Sequence, residues 1–223
     1  MRALRVLAFD TTTGKGSVAV VEGDETRGEV RVTAPDAHST RLLGAIDFLL
    51  SALGLSMSAI DGLAVTIGPG SFTGLRVGIA TAQGLSLGSS RPVAGIPTLD
   101  ALAHRIRGAA PRLVALMDAY RDGITVGTYD RDARQIEEPR LMRPDELLAS
   151  LPAGAAFIGE PASRYRTQIA QARPDALFPE RSFFIAGSVG RLAMPVLAAG
   201  EGLTADELRP LYLREPHIGP ARK

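Results

Sequence analysis

The spacing of apolar residues changes several times along the chain, and each change marks an element. Short apolar or β-rich runs over Leu4 to Asp10, Gly16 to Glu22 and Thr26 to Thr33, separated by TTTGK and a Gly-Asp turn, predict a three-strand meander. From Ser39 to Leu53 the apolar residues fall at 42, 43, 46, 49, 50 and 53. That is the spacing of a helix, and Gly54 ends it. A strand Gly62 to Ile67, a GPGS turn, a helix Ser71 to Leu87, a strand Pro92 to Gly95 and a helix Thr98 to Arg107 follow. The predicted order is β-β-β-α-β-α-β-α.

After residue 108 the pattern starts again. LRVLAFDTTTGKGSVAVV (4–21) and LVALMDAYRDGITVGTY (113–129) share an apolar strand ending in Asp, a turn containing Gly, and a second β-rich strand. This short match suggests a duplication. Further on, the pattern predicts a strand at Gln135 to Leu141, a helix Pro144 to Ala149, a strand Ala155 to Gly159, a helix Ala162 to Gln171 and a helix Gly187 to Ala199. A loose tail is expected from about residue 215. Two α/β halves, 1–107 and 108–223, each opening on a hairpin, point to an actin-like, sugar-kinase-like fold. A simple doubly wound sheet would alternate strand and helix from the start.

Charge alters this picture. The 223 residues carry a net charge of +1, no cysteine and 5% aromatics. Lacking cysteine, the chain has no disulfide, thiolate metal site or cysteine nucleophile. Nor does it have the basic excess of a protein that binds RNA by itself, so any role with nucleic acid is expected to need a partner. MRALRVLAFD runs straight into a strand pattern without the apolar core of a signal peptide, and a cytoplasmic location is expected. Leu42 to Ile60 carries a single charge, but Gly54 and three serines interrupt it and its apolar spacing is helical, which argues against a membrane span. Between Ala37 and Leu99, 63 residues hold only five charges: Arg41, Asp47, Asp61, Arg76 and Arg91. A lone domain needs more polar surface than that, so something is expected to cover this segment.

GPGSFTGLR resembles a phosphate loop, but no lysine follows the second glycine, and the dinucleotide pattern fails because position 73 is Thr. Only the helix-opening amides are left for an anion. Gly74, Gly78 and Gly84 inside the helix cost about 3 kcal/mol together. That is equivalent to roughly 120 Å² of apolar burial. Gly70, Gly74, Gly78 and Ala82 recur every fourth residue, a flat stripe that admits another backbone. One reading makes this helix central in its own domain. Because Ser39 to Leu53 is equally poor in charge, a protein interface is the preferred one.

Asp10, Thr11, Thr12 and Lys15 (DTTTGK) read either as ordinary turn residues or as a hairpin that meets phosphate and metal. On the second reading the chain would be an ATP-dependent small-molecule phosphotransferase. His38 has no histidine or carboxylate one helical turn on, and no G-x-S-x-G elbow is present. The residues therefore assemble no catalytic constellation, and no metal or cofactor is expected.

LAFDTTTGKGSVAVV, AHSTRLLGAIDFLL, IDGLAVTIGPGSFTGLRVGIATAQGLSLG, GIPTLDALA, MDAYRDGITVGTY and PLYLRE, in this order, closely resemble the TsaB (YeaZ) family of tRNA threonylcarbamoyladenosine synthesis. The likeness is strongest over residues 4–107. It implies an actin-like ATPase fold and a non-catalytic partner of the related subunit TsaD. TsaD transfers the threonylcarbamoyl group to the adenosine beside the anticodon; TsaC makes the adenylate donor, and the ATPase TsaE joins the complex. TsaD-type proteins carry a His-x-x-x-His metal motif, whereas here His38 is followed at the second position by Leu42. In the family the two helices pack against TsaD, or against a second copy when TsaD is absent. The expected interface is Leu42, Leu43, Ile46 and Leu50 with Phe72, Gly74, Leu75, Arg76, Gly78 and Ile79, and Asp10, Thr11, Thr12 and Lys15 become a vestigial phosphate hairpin. MDAYRDGITVG departs from the family's Asp-Ala-Arg at Tyr120, near which a TsaE or tRNA contact would fall.

Overall fold

In the computed structural model the described residues are 2–13, 15–33, 38–119 and 123–211, without the side chains of residues 38–40. The first sheet begins with β1 (Arg5–Asp10), β2 (Gly16–Glu22) and β3 (Glu25–Val32), paired antiparallel, with Leu7 opposite Val20 and Phe9 opposite Val18. Its remaining strands, β4 (Gly62–Gly68) and β5 (Val93–Pro97), run parallel to β1, giving the order β3-β2-β1-β4-β5. In the second sheet β6 (Arg112–Asp118), β7 (Ile124–Asp130), β8 (Gln135–Met142) and β9 (Ala155–Ile158) are ordered β8-β7-β6-β9, with β6 and β9 parallel. This repeats the β3-β2-β1-β4 portion of the first sheet, so the recurring hairpin pattern in the sequence corresponds to a recurring topology.

Alternation in β1 explains how the first sheet is covered on both sides. Leu7 and Phe9 face the core shared with Leu42, Ile46, Leu50, Leu75 and Ile79 of helices α1 (His38–Ala52) and α2 (Phe72–Ser89). Val6 and Ala8 face the opposite core, shared with Leu99 and Leu102 of α3 (Thr98–Arg105) and with Val189 and Ala193 of α7 (Ala186–Ala198). The chain thus returns from the second sheet to lay its last described helix on the first. On the second sheet Leu147 of α4 (Pro144–Ala149), Ala162 of α5 (Glu160–Arg164) and Ile169 of α6 (Arg166–Ala172) pack with Val114, Leu116 and Phe157. The single helix expected at Ala162 to Gln171 is two helices, interrupted at Tyr165 (φ −97°, ψ 14°). No helix among the described residues is long and apolar enough to cross a membrane.

A part-buried polar bond links α3 to the second sheet. The Tyr129 hydroxyl, on a fully buried side chain of β7, donates to Asp100 Oδ1 of α3 at 2.7 Å. Burial pushes the Asp100 carboxyl up, while the bond from Tyr129 pulls it down. Tyr129→Phe keeps the ring and removes the donor, at a cost of about 1–3 kcal/mol for the orphaned carboxyl group. For a chain of this size the expected loss in Tm is roughly 2–12 °C by calorimetry. An unchanged Tm would show that the bond contributes nothing to holding the halves together.

Candidate functional site

Asp10 ends β1 at the carboxyl edge of the first sheet, the edge where open α/β sheets take their ligands. Its carboxylate is fully buried, and its own chain surrounds it. Oδ1 accepts from the Thr12 amide at 2.9 Å, the Thr12 hydroxyl at 2.6 Å and the Thr66 hydroxyl of β4 at 2.7 Å. Oδ2 accepts from the Thr13 hydroxyl at 3.0 Å, and Thr12 Oγ1 lies 3.2 Å from Thr98 Oγ1 at the start of α3. Three of these donors crowd Oδ1, and Oδ2 shares the Thr13 hydroxyl with the Lys15 carbonyl at 3.1 Å. The turn after β1 and strand β4 are joined on this one side chain, and Thr12 carries the link on to α3.

The same turn seats α2. The Thr11 hydroxyl donates to the Gly74 carbonyl at 2.7 Å, the Ser71 amide donates to the Thr12 carbonyl at 2.8 Å, and Ser71 Oγ caps the helix by accepting from the Gly74 amide at 3.2 Å. A Cβ on Gly70 would lie 2.6 Å from Thr12, one on Gly78 would lie 2.5 Å from Thr11 Oγ1, and one on Gly74 would overlap the Thr11 carbonyl. The Gly70-Gly74-Gly78 stripe therefore serves the chain's own turn. This corrects the expectation that Gly74 and Gly78 open the helix to a partner: β1 and β4 are adjacent, so the turn leaving one meets the helix leaving the other.

Of the four hairpin residues, Asp10, Thr11 and Thr12 converge, whereas the Lys15 ammonium sits 5.3 Å from the Phe183 ring centre. Beside Asp10, Arg41 and Leu42 is a cavity of about 10 Å³, enough for one water molecule at most. Small-molecule pockets run to roughly 300 Å³ and more. Asp118, which ends β6 as Asp10 ends β1, is held by a two-pronged pair with Arg164 at 2.8 Å and 2.8 Å. That pairing keeps the Arg164 guanidinium above its ordinary pKa. Tyr120 and Arg121, the side chain of His38, and the tail from residue 212 lie outside the described residues.

The charge-poor helices offer a different kind of site. Of the ten residues expected at an interface, Leu42, Ile46, Leu50, Leu75 and Ile79 are buried in the chain's own core, as are Gly74 and Gly78 against Thr11. Leu43, Phe72 and Arg76 are exposed, with the Arg76 guanidinium 3.9 Å above the Phe72 ring. The apolar stripe read from the sequence was the inward one. The outward face also holds Phe48 and Leu87, which the sequence reading did not single out. Leu43 is 55% exposed, Phe48 66%, Phe72 48% and Leu87 76%, so the largest apolar side chains on this face point away from the core. Gly44, Gly84 and Gly88 lie on the same face, and a Cβ at any of them would meet open space. Apolar residues that fall outside the majority stripe of each helix were the signal available in the sequence.

A family model described as TsaD, tRNA N6-adenosine threonylcarbamoyltransferase, matches residues 24–188. The chain is 30% identical to the tRNA threonylcarbamoyladenosine biosynthesis protein TsaB of Haemophilus influenzae, over 96% of this chain and 95% of that protein. It is 34% identical to the TsaB protein of Escherichia coli over 64% of each chain. YeaZ from Pseudomonas aeruginosa superposes with a TM-score of 0.81 at 32% identity, over 94% of this chain and 100% of that one. An activator of the 2-hydroxyisocaproyl-CoA dehydratase from Clostridium difficile, solved with bound ADPNP, shares the fold at a TM-score of 0.57 and 9% identity, over 94% of this chain and 100% of that one. The architecture is the actin-like ATPase fold.

Asp10→Ala removes one acceptor from several buried donors at once, and a loss of about 3–5 kcal/mol is expected. This corresponds to a fall in Tm of roughly 6–20 °C in a melting curve. Calorimetry of the unaltered chain with Mg-ATP is expected to give no binding heat. Micromolar binding would mean that the turn opens to a nucleotide.

Proposed function

Because this chain belongs to the TsaB (YeaZ) family of tRNA threonylcarbamoyladenosine biosynthesis proteins, we propose that it is the non-catalytic subunit that binds and activates a TsaD-type transferase. The observation that carries this reading is the outward face of α1 and α2. An exposed apolar set of this kind on two neighbouring helices is characteristic of protein interfaces. Gly84, inside α2, adds an argument from cost. It forfeits about 1 kcal/mol of helix propensity relative to alanine, and among the described residues no contact at its missing Cβ compensates for it. A partner backbone packed against Gly44, Gly84 and Gly88 would account for the absence of side chains there.

The occupant is the TsaD-type subunit; in its absence a second copy of this chain takes the face and gives a homodimer. The complex, joined by a TsaE-type ATPase, works in the cytoplasm, and its chemistry belongs to the transferase. The phosphotransferase reading is not favoured, because the chain's own hydroxyls and amide occupy the Asp10 carboxylate and the space beside it fits one water molecule.

Leu43→Asp or Phe72→Asp is expected to weaken association with a TsaD-type subunit by about 30-fold or more in light scattering, as losing a central apolar anchor does. Leu43 is exposed, so the melting curve of Leu43→Asp should stay within a few degrees of that of the unaltered chain. Gly84→Ala separates the two roles of glycine in α2. It should stabilise the isolated chain by about 1 kcal/mol while weakening association. Undiminished association in all three variants would refute the proposed face.

A further inference from the structure

Net charge hides a local concentration of cations. Arg105, at the end of α3, donates to the Ser182 carbonyl and hydroxyl at 3.4 Å and 3.1 Å, which brings the 181–184 segment against it. On α7, Arg191 donates to the Asp24 carbonyl at 2.9 Å, and Arg107 lies 3.5 Å from His104. Lys15 sits 5.3 Å from the centre of the Phe183 ring, and Arg31 of β3 sits 5.2 Å from that of Phe184.

Arg31 is paired with Glu29 at 2.9 Å. Among the described residues, no carboxylate forms an ion pair with Lys15, Arg105, Arg107, Arg181 or Arg191. The electrostatics agree with this crowding. Burial, together with Arg107, Arg191 and Arg105, pushes His104 down to about 4. Arg105 is lowered by burial and by Arg31, Arg181 and Arg191, with Glu29 acting in the opposite direction.

We infer that this patch is a direct contact for the phosphate backbone of RNA. Cations converging from a strand edge, two helices and a loop present spaced positive charges to a chain of phosphates, and the Phe183 and Phe184 rings hold Lys15 and Arg31 in place among them. Phe183 also lines a cavity of about 150 Å³ with Arg166, Arg181, Phe178 and one carboxylate, Glu180, at the carboxyl end of β9. Such a set of cations suits nucleotides better than a lipid surface, which would require protruding apolar side chains around the cations. The inference rests on membership in a tRNA biosynthesis family. It differs from the expectation that a role with nucleic acid, tRNA included, needs a partner, which rested on net charge.

The test is fluorescence anisotropy of an unmodified, labelled tRNA transcript titrated with the full chain at low and moderate salt. Binding is expected to weaken with salt at a slope of roughly −0.7 to −0.9 per neutralised phosphate, for three to five phosphates. The double variant Arg107→Glu, Arg181→Glu alters two exposed side chains. It should bind at least tenfold more weakly, with an unchanged melting curve and unchanged association with a TsaD-type subunit. Leu43→Asp should show the opposite pattern, retaining tRNA and losing the subunit, so the two proposals fail separately. Equal binding by the double variant, no binding by the unaltered chain, binding insensitive to salt, or tighter binding to phosphatidylglycerol vesicles than to tRNA would each overturn the assignment.

Discussion

The arrangement of the first sheet depends on the buried Asp10 carboxylate and the donors around it. Four hydrogen bonds converge on it, from the turn after β1 and from β4, and Thr12 extends the network toward α3. Hydrogen bonds to a carboxylate are roughly twice as strong as neutral ones. The buried site raises the cost of leaving any of them unmade. The adjoining Thr11 and Thr12 hold the start of α2, whose glycines allow the helix to lie on the turn backbone. The hydrogen-bonding capacity of Asp10 is used to fix where α2 sits.

Fixing α2 also fixes what it shows to the outside. Leu75 and Ile79 point to the sheet, Gly74 and Gly78 point to the turn, and Phe72 and Leu87 are left facing outward beside Leu43 and Phe48 of α1. The glycines of α2 thus have two separate physical roles. The first turns admit the chain's own backbone, whereas Gly84 and Gly88 stand in open space, where only another molecule would make use of their lack of a side chain. The docking face and the proposed RNA patch are built from different elements. One chain can in this way hold a transferase and its nucleic-acid substrate at once.

Much of this was legible in the sequence. Apolar runs marked the central strands, β1 and β2 being buried on both faces, and helical spacing marked the helices apart from the break at Tyr165. The inward stripes of α1 and α2 were easier to see than the outward face, since Leu42, Ile46, Leu50, Leu75 and Ile79 dominate the periodicity. Phe48 and Leu87 fall between those positions and carry no period of their own, whereas Leu43 stands in the helical set beside Leu42. The role of Gly74 could not be read from spacing, because its neighbour Thr11 is 63 residues away and is brought close only by the pairing of β1 with β4. The cation patch was invisible for the same reason: Lys15, Arg31, Arg105, Arg181 and Arg191 lie far apart in a chain whose net charge is +1.

The central claim is that the outward face of α1 and α2 is covered by a TsaD-type subunit. Because the chain has no cysteine, a single thiol can be placed on that face without background labelling. The decisive measurement is the rate of maleimide labelling of Phe48→Cys and of Leu87→Cys in dilute chain, before and after the subunit is added, with Ile136→Cys on β8 as the exposed control. A tenfold or greater slowing at 48 and 87, with 136 unaffected, is expected. Equal labelling rates at 48 and 87 in a demonstrated complex would contradict the account.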